Sequence, residues 1–221
     1  LGVILGFSGA RYLMQSLKWS TKYNIVGNIC GFLGLTFRSK MNQSPRLGQF
    51  MELGLVPETV NQSHFEDQIY GTSRGAKFSL HEAHLQRRDR SGNSDRPVTL
   101  FRGQFMSIQF PQKLPGRTVV LRDKGLFNRK KKGEMKRVGL VDPVFEKIFE
   151  AYGTDQVEAR YLLTPDFMQR LVDLEQLVSG KNIRFGFDGG DLLIAVETED
   201  RYEAGSMSQP LTDPSRTQTV L

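Results

Sequence analysis

One cysteine, one tryptophan and three histidines are all that this chain of 221 residues has of those types. With Cys30 alone, no intrachain disulfide can form, which fits a reducing compartment. Cys30 sits in the apolar run "YNIVGNICGFLGL", with no histidine or cation inside that run. It reads as a small buried hydrophobe, not as a nucleophile. Long apolar runs are missing as well. "LGVILGFSGA" ends at Arg11, and "YNIVGNICGFLGLTF" is interrupted by Gly27, Gly31 and Gly34. Each is too short to span a bilayer by itself. No basic segment precedes the first run, so it is not read as a signal peptide. The chain starts at Leu1, not at methionine. The expectation is that further residues precede it, with the first run either the end of a membrane segment or a buried helix.

Several signatures of chemistry are absent too. No glycine-rich phosphate loop follows a strand and opens a helix, and no serine sits in a G-x-S-x-G elbow. "LHEAHL" carries His81, Glu82 and His84. A zinc protease needs two histidines four apart on one helix. Here the spacing is three, in a segment read as a strand, where His81 and His84 face opposite ways. Only His64 and Cys30 are left to complete a site, so neither a metal nor a cofactor is expected. There is no internal repeat, heptad or low-complexity tract.

What is present is a globular composition. Hydrophobic residues make up 38% of the chain, enough for a packed core and for one domain. Charge is unevenly spread. Residues 1–140 hold 23 Lys and Arg against 9 Asp and Glu, or +14, and residues 141–221 hold 7 against 15, or −8. Such polarity points to a basic surface meeting an anionic partner, or to two halves that attract each other in the fold. The densest patch is "NRKKKGEMKR", with Arg129, Lys130, Lys131, Lys132, Lys136 and Arg137. The plain reading of that patch is a solvated loop; the functional reading is an anionic-surface contact. Nucleic acid is not expected, because the acidic half opposes it and no recognition motif appears.

Along the chain, 1–40 reads as a helical N-terminal arm, 41–205 as one α+β domain, and 206–221 as a tail. "SPRLGQFMELG" (44–54) reads as a short helix, capped by Ser44, with Pro45 first and Gly54 last. Residues 67–88 read as a hairpin. Residues 90–97 read as a turn or loop. "VTLFRGQFMSIQF" (98–110) is the clearest strand, with Met106, Ile108 and Phe110 on one face, and 117–123 is a shorter one. A helix begins at "DPVFEKIFEAYG" with Asp142 as cap and Pro143 first, and the spacing carries it through Phe149. "NIRFGFDGGDLLIAVETED" (182–200) is a hairpin about Asp188-Gly189-Gly190. The fold expected is an antiparallel sheet, or a partly closed barrel, packed by the helices of 142–179.

"TDQVEARYLLTPDFMQRL" (154–171) gathers Asp155, Glu158 and Arg160, the residues that could line a pocket for a small anionic substrate. Helix capping accounts for the stretch more simply. Thr154 is read as capping the next turn, with the Asp155 charge at its N-terminus. Thr164, Pro165 and Asp166 repeat the device, and Gly180 is expected to stop the second helix. Glu158 and Arg160 are two apart, so on a helix they diverge. No catalytic residue is assigned. An enzyme remains the alternative, to be recognised by a cleft joining Asp155, Glu158 and Arg160 with Arg122 and Asp123.

"GLVDPVFEKIFEAYGTDQVEARYLLTPDFMQRL", together with "GLVPETVNQSHFEDQIYG" and "FRGQFMSIQF", resembles a bacterial family known only as domain of unknown function 3137. The matching pieces run from about residue 53 to 205. The resemblance implies a cytoplasmic domain tethered to the inner membrane by hydrophobic segments that precede it. It brings no catalytic residues. The functional expectation is therefore a non-enzymatic domain that binds an anionic lipid surface or a protein partner.

Overall fold

In a computed structural model, residues 24–88, 97–110, 113–123, 134–178 and 182–198 are described. The readings at 90–96, at Arg129 to Lys132, at Gly180 and along the tail lie outside these residues.

Among the described residues nine strands make one sheet: β1 (Thr36–Met41), β2 (Gln62–Ser73), β3 (Ala76–Arg87), β4 (Val98–Gln109), β5 (Thr118–Arg122), β6 (Lys136–Arg137), β7 (Phe149–Gly153), β8 (Arg184–Asp188) and β9 (Asp191–Glu197). The order across the sheet is β1-β2-β3-β4-β9-β8-β5-β7-β6, and every pairing is antiparallel. The sheet is open, with β1 and β6 as its edges. Among the described residues five helical segments pack on it: α1, helical over 24–32, α2 (Leu47–Glu52), α3 (Pro143–Ile148), α4 (Gln156–Leu162) and α5 (Pro165–Leu177). The fold is α+β, and of the two forms expected it is the open sheet that is found. Among the described residues no helix is long and apolar enough to cross a membrane.

Alternation along the central strands sends apolar side chains to both faces, so the middle of the sheet is covered twice. On one face Val120, Phe185, Phe187, Leu192 and Ile194 pack with Phe145 of α3, Leu162 of α4 and Met168, Leu171 and Val172 of α5. On the other, Val119, Leu193, Ala195, Phe101 and Phe105 pack with Phe50 of α2 and with Leu53 and Leu55 after it. The Phe50 and Phe105 rings stack, 4.0 Å between centroids. Met106, Ile108 and Phe110 share the first face, as their spacing predicts. Phe185 pairs with Ile194 and Phe187 with Leu192, so the two apolar sets of the last hairpin line one face.

Four local readings change. Residues 36–40, expected in the helical arm, belong to edge strand β1. The helix after Asp142 ends at Ile148, and Phe149 opens β7 instead. Pairing of Phe149 with Arg122 through Gly153 with Thr118 outweighs the helical spacing of Phe145 and Phe149. Ser44 does not cap α2, whose N-cap is Arg46 without a side-chain bond; Ser44 Oγ lies against His81 instead. The first hairpin is longer than 67–88, because β2 begins at Gln62.

Candidate functional site

The stretch 154–160 resolves into structural roles. The Asp155 carboxylate accepts from the N–H groups of Val157 and Glu158, at 2.8 and 3.0 Å, and is the N-cap of α4. Those two bonds hold its pKa below the ordinary carboxylate value. Thr154, expected as that cap, sits one residue too early; its Oγ1 accepts from Arg117 N–H at 2.8 Å and ties α4 to the start of β5. Glu158 turns toward Gly116 and accepts its N–H at 3.2 Å. A Cβ on Gly116 would lie 2.6 Å from Glu158 Oε1, so the carboxylate occupies the space a side chain there would need. Arg160 points elsewhere, with Nε 3.5 Å from the carbonyl of Gly139. Thr164 caps α5 as read, its Oγ1 3.3 Å from Phe167 N.

Arg122 and Asp123 do not join this group. Thr118 of β5 pairs with Gly153, beside α4, while Arg122 pairs with Phe149 at the far end. Four residues of strand separate the two ends, about 13 Å. Arg122 lies 2.6 Å from Glu175 of α5, a carboxylate with 9% of its side chain exposed.

The charge polarity of the sequence is partly folded inward. Arg46 pairs with Asp191 at 2.5 Å, Arg117 with Asp188 at 3.4 Å, Arg122 with Glu175 at 2.6 Å and Arg137 with Glu150 at 3.9 Å. Each couples a cation of the basic stretch to an anion of the acidic one, so attraction between the halves is realised in the fold. Of the basic patch, Lys136 and Arg137 are described. Both are exposed and form β6, the short edge strand beside β7.

A polar cleft of about 190 Å³ opens on the sheet over β2, β3 and β4, lined by His64, Glu66, Glu82, His84 and Arg102. Register builds it. His64 pairs with His84 and His84 with Arg102, while Glu66 pairs with Glu82 two residues along. A basic row thus lies beside an acidic one. The His84 pKa is lowered, first by burial and then by the charges of Arg102 and His64. With one arginine in the first row and two carboxylates in the next, the cleft holds charges of both signs. Among the described residues no group of three or more His, Cys, Asp or Glu is placed to hold a metal ion. The spacing of His81, Glu82 and His84 rules out a helical zinc motif and gives no sign of this grouping. The available signal was period-two spacing in both strands, His64 with Glu66 and Glu82 with His84; pairing the strands needed the register. His81 faces the other way, as its strand placement predicts, and is buried at 5% exposure.

A family model described as "Protein of unknown function (DUF3137)" matches residues 99–221, more than half of the chain. No curated protein matches it. Among solved structures, the crystal structure of the mycobacterial trehalose monomycolate transport factor A, TtfA, is similar at 14% sequence identity and a TM-score of 0.46. The match covers 77% of this chain and 79% of that one.

Proposed function

This chain belongs to the DUF3137 family, of unknown function, and we propose that it is a binding domain that docks on the anionic cytoplasmic face of a bacterial inner membrane. The observation that carries the proposal is the exposure of Lys136 and Arg137 on edge strand β6. They are the last two cations of the run that begins at Arg129, so that run ends on an edge strand of the sheet. Each Lys or Arg near an anionic surface contributes about 1 kcal/mol, falling away within a Debye length of about 8–10 Å. Six would contribute up to ~6 kcal/mol, less where Arg137 is shared with Glu150. That corresponds to a dissociation constant of tens of micromolar, which a tether would make effective by raising local concentration.

The enzyme alternative draws no support from Asp155, Glu158 and Arg160, because each is turned to a separate structural partner. A protein partner has one observation in its favour: β1 is a six-residue edge strand able to accept another strand. Arg38 and Lys40, exposed on that strand, oppose such pairing. The test is co-sedimentation with vesicles containing phosphatidylglycerol, comparing the wild type with Lys130→Ala, Lys131→Ala and Lys132→Ala combined. About a tenfold or greater loss of affinity at low salt is expected. Affinity that ignores these substitutions would make the run a plain solvated loop and move the reading to a protein partner.

A further inference from the structure

We propose a second membrane contact at the opposite edge of the sheet: Phe32 and Leu33, at the end of α1, insert into the boundary between headgroups and acyl chains of an anionic bilayer. The inference rests on the membrane reading above and names a different element for it.

Helix α1 buries one side only. Val26 and Cys30, four apart, pack on Phe37 of β1 with Leu35 and Ile69 beside them. The other side presents Ile25 at 43% exposure, Phe32 at 90% and Leu33 at 59%. Nothing else described in the molecule combines an aromatic this exposed with an apolar neighbour in sequence. These side chains are held out, not left on a loose end. Leu35 N–H donates to Cys30 O at 2.7 Å and Gly34 N–H to Gly31 O at 3.1 Å, closing the helix with Gly34 at φ 69°. The turn then seats on β2, where a Cβ on Gly71 would lie 2.7 Å from Leu35 Cδ2. Gly71 is three residues from the Arg74–Gly75 tip of the β2–β3 hairpin, so helix end and hairpin tip form one corner.

Charge selects the occupant. The first 51 residues contain six Lys and Arg and no Asp or Glu. Arg38, Arg74 and Lys77 are exposed around the corner. An apolar tip with a cationic surround suits an interface of acyl chains and anionic headgroups.

The two contacts are far apart. One cross-strand row runs from Thr36 through Tyr70, Ser79, Ser107, Leu193, Gly186, Val119 and Tyr152 to Arg137. Eight strand spacings of about 4.8 Å make roughly 38 Å measured along the sheet. Substitutions at one end are therefore independent of those at the other.

The experiment compares wild type, Phe32→Ser with Leu33→Ser, and the triple lysine variant, all in the full chain. Binding is measured to vesicles of phosphatidylcholine with and without phosphatidylglycerol, at low and high salt, with thermal melts alongside. The serine variant is expected to keep its melting temperature within about 2 °C and to lose affinity for the anionic vesicles at least tenfold. What remains should vanish at high salt, because the salt-resistant apolar share has gone. If the serine variant binds like wild type while the lysine variant does not, the wedge is overturned and the membrane reading stands. If no form binds either vesicle, both fall. If the serine variant binds normally and melts many degrees lower, another part of the chain covers Phe32 and Leu33 and the wedge is again overturned.

Discussion

His81 Nε2 lies 3.1 Å from Ser44 Oγ, and both side chains are buried. Ser44 thereby anchors the segment before α2 to β3. The imidazole also meets the rings of Phe65 and Phe105 edge-on, at 5.8 and 5.7 Å between centroids. Among the described residues Nδ1 has no hydrogen-bond partner. The tautomer protonated on Nε2 fits this setting, since it pairs the N–H with Ser44 and leaves only an acceptor bare.

Burial lowers the His81 pKa from 6.5 to about 4. A histidine kept neutral in the fold contributes stability at pH above its unfolded value and loses it as pH falls from about 6.5 toward 4, where the unfolded chain takes up the proton first. At 1.36 kcal/mol per unit, the loss is ~3 kcal/mol. Urea unfolding at pH 7 and pH 4.5 should show it, and His81→Gln should remove most of the difference. An equal acid loss in His81→Gln would assign it to other groups.

Thr164→Ala should destabilise the fold by about 1 kcal/mol, while Thr164→Ser should be nearly neutral. The hydroxyl is the shared feature, and it faces Phe167 N–H. Equal losses in thermal melts of the two variants would reject the cap.

The ion pairs joining the basic and acidic stretches differ in burial, and Arg122–Glu175 is the one whose carboxylate is most enclosed at short distance. Arg122→Ala leaves Glu175 without its nearest cation and should cost about 2–3 kcal/mol. Glu175→Gln should cost less, because a neutral amide is easier to bury. Arg122→Ala within 0.5 kcal/mol of wild type in urea unfolding would contradict a stabilising pair.

Gly103 of β4 stands where β4 and β9 approach closely. Its φ is 155°, and a Cβ there would lie 2.0 Å from the carbonyl oxygen of Val196. Backbone cannot yield as a flexible side chain can. Gly103→Ala should cost ~3 kcal/mol or more. A melting temperature near wild type would show that the strands can part there without loss.

Local chemistry could be read directly from the chain. Asp142 and Thr164 cap helices because a side-chain oxygen and a following proline act within three residues. The hairpin turn at Gly189 and Gly190 needs two positive φ values and has them, at 61° and 101°. Helical spacing misplaces Phe149 because its partner Arg122 is 27 residues away and leaves no sign in that spacing. Ser44 departs from its expected capping role for the same reason, its partner being His81. The cleft of His64, Glu66, Glu82, His84 and Arg102 depended on register across three strands, which no short window contains. The net charges of the two halves were plain, but which cations are taken up in pairs was decided by topology.

The proposed function rests on attraction to an anionic lipid surface. The decisive measurement is the affinity of the unaltered chain for vesicles with and without phosphatidylglycerol, titrated from 50 to 300 mM salt, a span of about 14 to 6 Å in Debye length. Affinity should require the anionic lipid and fall steadily as salt rises. Equal affinity for both vesicles, or none for either at the lowest salt, would contradict it.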